Sequence, residues 1–330
     1  MKSGNKILLT GATGFVGRSL WPALARQGYQ VRSMTRDVES AQRKSPQQEW
    51  VLGDMSHSET LAPALQGCQA AYYLVHSMAE GDPDFRRREA LAAERFAQAA
   101  RDAGLERIVY LGGVAPADKP SEHLLSRLEV GQTLRQGRVP TIELRASMII
   151  GYGSLSWLIV RDLAARLPFM ILPRWLKSLT EPIGIDDVVV ALLAALEVPV
   201  SGGQWFDIPG PEVLSCQQIL VKTARLLGLK PPIMVEVPVV TPWLSSHWVR
   251  LVTRAQWSVA REVVLGLGSD LLSQSHTYWT RIGLLNCCSF DEAARRALEA
   301  ERSMPADISG IWRGVEDGVR RWRVVEESPR

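Results

Sequence analysis

The sequence predicts an α/β protein, with a doubly wound parallel sheet followed by a smaller, mainly helical region. Two observations support this prediction. Over the first 150 residues, short β-branched or apolar runs alternate with helical patterns, which is the rhythm of successive βαβ units. Beyond residue 150 the composition changes, because most of the eleven tryptophans lie there together with several prolines.

The predicted elements follow one another in a regular order. The apolar and β-branched runs predict strands at residues 7–10, 30–35, 49–52, 70–75, 107–111 and 141–150. The patterns between them predict helices at residues 15–27, 84–103 and 122–136. Strands joined by crossovers of this length lie parallel, and the crossovers are right-handed. Both faces of the sheet are therefore expected to be covered by helices.

The composition change suggests two regions. Residues 1–150 are expected to form the sheet domain and residues 151–330 a capping region that binds the substrate. A further strand is predicted near residues 204–208 and returns to the sheet, so the two regions interleave up to about residue 210. The rest of the capping region, above all residues 241–285, is expected to be helical and aromatic and to lie beside the carboxyl edge of the sheet.

Charge and composition exclude several classes of partner. The net charge of +3 is too small to indicate nucleic-acid binding, and no basic run is interleaved with aromatic residues. The triplet Arg86-Arg87-Arg88 precedes Glu89 and a helical pattern, which favours a solvated helix face. A small-molecule partner is the expectation that remains, and the sequence does not predict an oligomeric state.

Cysteine usage and hydropathy favour a cytoplasmic protein. Four cysteines are too few for a disulfide framework, and the adjacent Cys287 and Cys288 lack the spacing of metal ligands. The N-terminus runs almost directly into a strand, so no signal peptide is expected. The most apolar helix, at residues 188–196, is too short to span a bilayer.

A glycine-rich turn lies between the first strand and the first helix. The stretch ILLTGATGFVG places Gly11, Gly14 and Gly17 at intervals of three residues. Glycines allow a tight turn, close approach of backbone to a pyrophosphate and close packing of helix on strand. The free N–H groups and positive end of the helix then bind the pyrophosphate. This pattern, at the first strand–helix junction of a parallel sheet, predicts dinucleotide binding; the alternative is a merely tight turn.

Two residues after the second and third strands bear on the adenosine half of the dinucleotide. Arg36 follows the second strand and is suited to pair with a 2′-phosphate, which predicts NADP(H) in preference to NAD(H). The adjacent Asp37 weakens this inference, and a solvated arginine is the alternative. Asp54, after the third strand, is placed to accept a hydrogen bond from the adenine amino group. Its alternative role is to cap the next helix, for which Ser56 or Ser58 would also serve.

Several motifs together carry a family resemblance. The stretches TGATGFVG, MTRD, GDM, YYLVHSM, LRASMIIGYGS, PIGIDDVVVAL and FDIPGPEVLS resemble the extended and atypical short-chain dehydrogenases/reductases. Within that superfamily the chain is similar to NmrA-like and complex-I-subunit-like NAD(P)-binding proteins. The resemblance covers about residues 5–220 and fades across residues 240–330. It implies an NAD(P)-binding Rossmann-type domain with a variable C-terminal substrate region.

The glycine turn and the resemblance together predict a set of cofactor-binding residues. The resemblance implies that the end of the fourth strand contacts the ribose on the nicotinamide side of the cofactor. The predicted set is Gly11, Thr13, Gly14, Phe15, Val16, Gly17, Arg36, Asp54, Met55, Leu74, Val75, His76 and Arg127.

The resemblance also locates the catalytic groups, and here the chain departs from its family. Typical members carry a serine or threonine after the fifth strand and a Tyr-x-x-x-Lys motif on the next helix. This chain has Gly112-Gly113 after the strand and the stretch HLLSR on the helix, which puts His123 at the tyrosine position and Arg127 at the lysine position. Arg127 can still hydrogen-bond a ribose. His123 is expected to titrate near neutral pH and to act as a general acid or base, unless it is merely a surface residue of a dinucleotide-binding protein.

Other residues have less specific roles. Tyr152, after the sixth strand, is a weak candidate for the proton donor, with a core or lid role as the alternative. His76 and Ser77 are alternative polar groups for the substrate, or structural residues. Arg145 is expected to pair with an acid in the core, and Asp186-Asp187 to cap a helix.

The C-terminal aromatic set permits three interpretations. Trp243, Trp248, Trp257 and Trp279 indicate core packing, a roomy apolar pocket or a protein-contact face. Residues 242–267 also combine apolar surface with arginines, which permits, though it does not favour, contact with a membrane surface.

Two classes of function follow from this sequence. The leading hypothesis is an oxidoreductase that passes hydride from NADPH to a small apolar carbonyl, enone or quinone-like substrate. The alternative is a non-catalytic NADP(H)-binding sensor or assembly factor, which the missing catalytic residues favour. Sugar-nucleotide epimerase or dehydratase chemistry is a poor third hypothesis, because those reactions depend on the absent tyrosine.

Overall fold

The computed structural model describes residues 4–76, 84–116, 121–172, 177–236, 269–284, 286–303 and 310–323 of the 330-residue chain. Within these ranges, no helix combines the length and the apolar character needed to cross a membrane.

A seven-stranded parallel sheet forms the centre of the fold, as the sequence predicts. Its strands are β1 Lys6–Leu9, β2 Gln30–Thr35, β3 Glu49–Leu52, β4 Ala70–Tyr73, β5 Arg107–Gly113, β6 Thr141–Ala146 and β11 Gln204–Asp207. They are arranged in the order β11-β6-β5-β4-β1-β2-β3, and every neighbouring pair is parallel. The strand order therefore reverses between β1 and β4, and ligands bind at such a switch point in open α/β sheets.

Helices cover both faces of this sheet. They are α1 Phe15–Arg26, α2 Val38–Lys44, α3 Leu61–Leu65, α4 Phe85–Asp102, α5 Glu122–Gln136 and α7 Ile185–Ala194, with a short 3-10 helix at Ser58–Thr60. One apolar core lies between the sheet and helices α1 and α7. The other lies between the sheet and helices α3, α4 and α5. This two-sided burial explains why the strands are almost continuously apolar.

The predicted strand at residues 141–150 is wrong in one respect, because it is interrupted. The strand β6 ends at Ala146, and a separate strand, β7 Ile149–Ile150, pairs with β10 Ile183–Gly184 outside the main sheet. The hydroxyl of Ser147 donates to the carbonyl of Glu181 (2.8 Å), which draws the chain away from β11. Residues 141–150 are mostly apolar. The change of pairing strand, from β11 for β6 to β10 for β7, is therefore not visible in the hydropathy pattern.

The strand β11 pairs with β6 at the edge of the sheet, where the sequence predicts a strand near residues 204–208. The division of the chain into regions at residue 150 stays a prediction.

The remaining elements follow β6 in the chain and lie outside the seven-stranded sheet. They are α6 Leu155–Arg166, β8 Phe169–Leu172, β9 Leu179–Thr180, β12 Leu214–Ser215, α8 Cys216–Leu226, β13 Ile233–Glu236, α9 Thr277–Arg281, α10 Phe290–Ser303 and α11 Gly310–Arg323. The strands β8 and β13 pair in parallel, whereas β9 and β12 pair antiparallel. Helices α6 and α8 share an apolar core. Buried Arg161 on α6 pairs with Glu316 on α11 (2.5 Å), so ionic contacts join these helices as well.

Two charged motifs have structural roles. The prediction for Arg145 is confirmed, because its guanidinium donates to the fully buried carboxylate of Glu143 (2.8 Å). The prediction that Asp186-Asp187 caps a helix is wrong, because the N-cap of α7 is Gly184 and no side chain bonds there. Instead, Asp187 accepts from the backbone of Cys288 (2.9 Å) and Asp186 pairs with Arg296 (2.7 Å). Both carboxylates therefore tie the segment around α10 to α7.

Part of the predicted aromatic set can be located. Trp279 is buried and its indole N–H donates to the carbonyl of Pro209 (3.0 Å), which is a core role. Ser77, Trp243, Trp248 and Trp257, with the remainder of residues 242–267, lie outside the described residues.

Candidate active site

The glycine turn after β1 requires glycine for steric reasons. Gly11 has φ +63°, and a Cβ there would lie 2.5 Å from the carbonyl oxygen of Leu74. A Cβ on Gly17 would lie 2.3 Å from the carbonyl oxygen of Gly11. The turn therefore packs directly against the end of β4 on one side and the first turn of α1 on the other.

The start of α1 suits an anion. Its N-cap is Gly14, whose missing side chain leaves the first N–H groups of the helix without a side-chain acceptor. No acidic residue lies in the first turn, so the positive end of the helix dipole is not neutralised locally. Thr13 is exposed and Phe15 and Val16 are half-buried beside it. A diphosphate fits this environment, since a cradle without Cβ atoms leads directly to free N–H groups.

Thr10 holds the turn in place. Its buried hydroxyl donates to the carbonyl of Tyr72 (2.9 Å) and accepts from the backbone N–H of Leu74 (3.0 Å). This link fixes the end of β1 against the end of β4, the two strands between which the sheet order reverses. The sequence analysis did not identify Thr10, although a hydroxyl residue directly before the first glycine is a readable signal.

The residues predicted to contact the adenosine half lie after β2 and β3. Arg36 is exposed, and its charge is close enough to Asp54 to contribute to the low pKa of that carboxyl. The carboxylate of Asp37 caps α2 by accepting from the N–H of Ser40 (2.9 Å). Asp37 thus has a structural partner, which leaves Arg36 as the charged group available to a ribose phosphate.

Asp54 also has a local role. Its Oδ1 accepts from the N–H of Ser56 (2.8 Å) and closes a tight turn before the 3-10 helix. Partial burial raises the pKa of this carboxyl, but the hydrogen bonds from Ser56 and the charges of His57 and Arg36 outweigh it and lower the pKa. Met55 beside it is buried. The carboxylate is therefore ionised and able to accept a further hydrogen bond, and its contact with adenine stays a prediction.

The structure brings His76 and His123 into direct contact. His76 follows β4 and His123 lies in the first turn of α5, and their Nε2 atoms are 2.6 Å apart. The Nδ1 of His76 lies 3.1 Å from the carboxylate of Glu89 on α4. Phe85 stacks on the ring of His123, with 5.8 Å between ring centroids and 9° between ring planes. We call Glu89, His76 and His123 the Glu-His-His chain.

Burial keeps both imidazoles neutral. It lowers the pKa of His76, as does the charge of Arg127, although the hydrogen bond and charge of Glu89 act in the opposite direction. Burial, His76 and Arg127 together lower the pKa of His123 to about 2. The expectation that His123 titrates near neutral pH is therefore wrong, because the sequence does not reveal that the ring is enclosed beside another histidine and a guanidinium.

Arg127 lies one turn after His123 and faces the end of β5. A Cβ on Gly113 would lie 3.6 Å from its Cδ, so the side chain passes over this glycine. Its buried Nε has no hydrogen-bond acceptor among the described residues. The carbonyl of Arg127 accepts from the hydroxyl of Tyr110 (3.0 Å), which fixes α5 to β5. An unsatisfied guanidinium N–H at this position suits an oxygen-rich ligand such as a ribose, and this role stays a prediction.

Gly112 is explained by packing. A Cβ there would lie 2.9 Å from the carboxylate of Glu143, which is fully buried behind the strand. The glycine at the family's serine position thus accommodates a buried ion pair.

Tyr152 lies just after β7 in the chain. It is 42% exposed and lines a cavity of about 230 Å³ with Phe15, Ile185 and Arg296. No contact within the described ranges joins it to His123. The core role considered for Tyr152 is wrong because of this exposure, and the structure does not bring it to the Glu-His-His chain.

Glu89 is the functional candidate that the sequence analysis missed. The interpretation of residues 86–89 as a solvated face holds for exposed Arg87 and Arg88, but Glu89 is only 8% exposed. Arg86 pairs with Glu129 and with Glu122 on α5 (3.0 Å to Glu122), so it joins the two helices. The signal in the sequence is an acid on the apolar face of α4, in phase with residues 92, 93, 96 and 100.

The described part of the chain contains no group of three side chains that could hold a metal ion, and this includes the Glu-His-His chain. Its two imidazoles face each other at hydrogen-bonding distance, so one ring can donate a hydrogen bond to the other.

Comparison with known proteins indicates an NAD(P)H-binding domain. The family of NAD(P)H-binding proteins matches residues 11–164. The 4-hydroxy-2-methyl-3-oxo-4-farnesyl-3,4-dihydroquinoline-1-oxide ketoreductase of Stigmatella aurantiaca is 33% identical over 109 residues, which are 32% of this chain and 33% of that protein. The chain thus aligns with about a third of that relative. The (4-alkanoyl-5-oxo-2,5-dihydrofuran-3-yl)methyl phosphate reductase of Streptomyces griseus is 28% identical over 232 residues, 67% of this chain and 74% of that protein.

Solved structures agree on the fold. A short-chain dehydrogenase/reductase superfamily protein of Agrobacterium tumefaciens with bound NAD superposes with a TM-score of 0.65 over 90% of this chain and 97% of that chain. The two sequences are 20% identical, so the likeness is one of architecture.

Proposed function

We propose that the chain is an NADP(H)-dependent oxidoreductase of the short-chain dehydrogenase/reductase superfamily, and its similarity to NAD(P)H-binding proteins over residues 11–164 supports this. Its substrate is a small, apolar carbonyl, enone or quinone-like molecule. His123 and Arg127 act in place of the tyrosine and lysine of the family.

One observation carries this proposal. His123 and Arg127 lie on α5 beside the carboxyl ends of β4 and β5, and the glycine turn packs against the end of the same β4 through Gly11 and Leu74. The diphosphate cradle and the two polar side chains thus share one edge of the sheet. In an open parallel sheet this edge, at the switch point, is the place where a bound dinucleotide and its substrate meet.

In this proposal each residue has a separate role. The glycine turn and the start of α1 bind the diphosphate, and Arg36 binds the 2′-phosphate. The nicotinamide cofactor, when bound, supplies the hydride. Arg127 hydrogen-bonds the ribose next to the nicotinamide, since its Nε lacks another acceptor among the described residues. His123 delivers the proton to the substrate oxygen.

The names of the relatives support the reaction class. The relative from Stigmatella aurantiaca is a ketoreductase and the one from Streptomyces griseus is a reductase, and each is similar to part of this chain. Phe85, which stacks on His123, supports a substrate with an apolar part.

The test is turnover with a defined panel. Purified full-length protein is mixed with NADPH and, separately, with quinones, enones and aldehydes, while loss of NADPH absorbance is followed. We expect oxidation of NADPH with at least one class of compound. Tight binding of NADPH by calorimetry, with no oxidation across the panel, would contradict the reductase proposal and favour a non-catalytic binding protein.

That second candidate function has its own support. The pKa of His123, lowered to about 2, means that His123 is a neutral imidazole at neutral pH, and alone it is a much weaker acid than an imidazolium. Glycine also occupies the family's serine position. A sensor or assembly factor that uses NADP(H) as a structural ligand is consistent with both features, and it requires only the binding half of the site.

Arg36 provides a test of cofactor choice. The variant Arg36→Glu is expected to raise the Kd for NADPH by roughly 10- to 100-fold. The reason is that a charge-assisted hydrogen bond contributes about 1.5–3 kcal/mol to the binding free energy. The Kd for NADH should change little. Both constants are measured by calorimetry.

The matched control for Arg36 is Arg43→Glu on α2. Arg43 is also exposed and is already paired with Glu39 (2.6 Å). Equal loss of NADPH affinity in the two variants would indicate a general effect of charge and would remove the specific role of Arg36.

A further inference from the structure

Neither the diphosphate cradle nor the ribose contact proposed for Arg127 explains why Glu89 and His76 are buried. Glu89 is an acid on the buried face of α4, and its side chain is 10% exposed while that of His76 is 13% exposed. A buried carboxylate is costly without a partner, and the partner here is an imidazole that in turn contacts His123. The arrangement is linear, from carboxylate to first imidazole to second imidazole.

We propose that the Glu-His-His chain is a proton relay, in which His76 and Glu89 hold a proton and pass it through His123 to the substrate oxygen. Glu89 and His76 are thus further residues for the proton-transfer half of the reaction, and the inference rests on the proposed reductase function.

The distances fit this direction of transfer. Glu89 to His76 Nδ1 is 3.1 Å and His76 Nε2 to His123 Nε2 is 2.6 Å, both within hydrogen-bonding range. The Nδ1 of His123 lies farther from the same His76 nitrogen, at 3.3 Å, and in this proposal it is the atom that donates to the substrate. Phe85 packs on both rings and limits their reorientation.

The transfer balances in protons and electrons. In the loaded state, His76 carries protons on both nitrogens beside ionised Glu89, and neutral His123 carries its proton on Nδ1. As the carbonyl carbon receives hydride with its two electrons, Nδ1–H of His123 breaks and an O–H bond forms on the substrate. The Nε2 of His123 takes the Nε2 proton of His76. The final state has neutral His76 hydrogen-bonded to ionised Glu89, and solvent restores the missing proton.

The relay resolves a difficulty with His123 as a lone acid. Its own protonated form is unfavourable, because burial, His76 and Arg127 all oppose a positive ring. A positive charge on His76 lies next to a carboxylate, which partly offsets burial and the repulsion from Arg127. The extra proton is therefore held most favourably on His76. His123 transfers a proton to the substrate without accumulating as an imidazolium.

The test uses the titration of the histidines themselves. The chain has five histidines, so 15N-histidine spectra of the full-length protein are simple enough to assign by substitution. We expect His76 and His123 to change together with pH, with a midpoint below the ordinary value of about 6.5. In Glu89→Gln the midpoint should move lower, because the charge that favours protonated His76 is gone.

The same variant is then assayed for NADPH oxidation across pH. Reduction requires the loaded chain, so the rate falls about tenfold per pH unit above the midpoint. In Glu89→Gln this descending limb should move to lower pH by the same amount as the midpoint of the histidine titration. The variant should therefore recover its activity when the pH is lowered. The control is Glu94→Gln, an exposed acid on the same helix, which should shift neither curve.

The outcomes separate the relay from the reductase. If Glu89→Gln leaves both the midpoint and the pH limb in place, or if the two histidines titrate independently, the relay is wrong. If the coupled titration is found but no panel compound is reduced, the proton-holding chain stands and the reductase proposal falls. Should Glu89→Gln fail to fold, His76→Gln serves the same purpose, with loss of the pH-dependent limb as the expected result.

Discussion

His123→Ala is expected to lower the rate of NADPH oxidation by about 10²- to 10⁴-fold, the range that a positioned proton donor contributes. The Kd for NADPH should stay within about twofold of its original value, because the diphosphate is bound by the glycine turn and α1. The rate is measured with whichever panel compound is reduced, and the Kd by calorimetry. A loss of rate with unchanged binding places His123 in the chemical step.

Two further variants sharpen this result. His123→Gln keeps a hydrogen-bond donor of similar reach but cannot accept and donate a proton, so it should lose nearly as much rate as alanine. His276→Ala removes a histidine whose side chain is 65% exposed, and it should retain full activity. If glutamine preserved the rate, His123 would act only by polarising the substrate carbonyl, and the proton would have to come from elsewhere.

The electrostatics of the site explain why a histidine at the tyrosine position is workable. Burial and the neighbouring guanidinium of Arg127 make charge on either imidazole unfavourable. A neutral pair of rings is therefore the resting state, and Glu89 supplies the only described carboxylate in hydrogen-bonding contact with them. In the proposed relay, a histidine takes the place of the family's tyrosine and receives its proton from a second residue.

Much of the fold could be predicted from the sequence. Alternating strands and helices are enough for a parallel sheet, since strands joined by helical crossovers lie parallel and such crossovers are right-handed. The predicted strands at residues 30–35 and 49–52 coincide with β2 and β3. Short elements such as β7 and β10 could not be predicted, because two-residue strands carry no periodicity. Their pairing depends on tertiary contacts such as that of Ser147 with Glu181.

The site was predictable only in part, for a similar reason. The positions of His76 and His123 follow from topology. His76 comes just after β4, and His123 lies at the start of α5, the helix that follows β5, so both lie at the carboxyl edge of the sheet. Their contact depends on how α4 and α5 pack against each other, which ion pairs of Arg86 help to set. The pKa values depend on the same packing. Two missed residues did leave a sign in the sequence: Thr10, as a hydroxyl residue before the first glycine, and Glu89, as an acid in the apolar phase of α4.

Gly11→Ala is expected to raise the Kd for NADPH by about 100-fold or more. A Cβ at this position would lie 2.5 Å from the carbonyl oxygen of Leu74, which is backbone at the end of a buried strand and cannot move cheaply. The turn must therefore shift away from β4. Each lost hydrogen bond to a charged phosphate costs about 1.5–3 kcal/mol, so losing two of them is enough for this change. Calorimetry with NADPH measures the effect.

Gly67→Ala separates this displacement from backbone strain. Gly67 has φ +74°, close to the φ +63° of Gly11, but a Cβ there would meet nothing within 4 Å. Both variants place alanine in the left-handed region, at a cost to stability of about 1–2 kcal/mol. Only Gly11→Ala should also lose NADPH binding and the rise in Tm that NADPH produces. Because the stabilisation by a bound ligand grows with the logarithm of its concentration over its Kd, unchanged NADPH stabilisation in Gly11→Ala would mean that the turn does not bind the diphosphate.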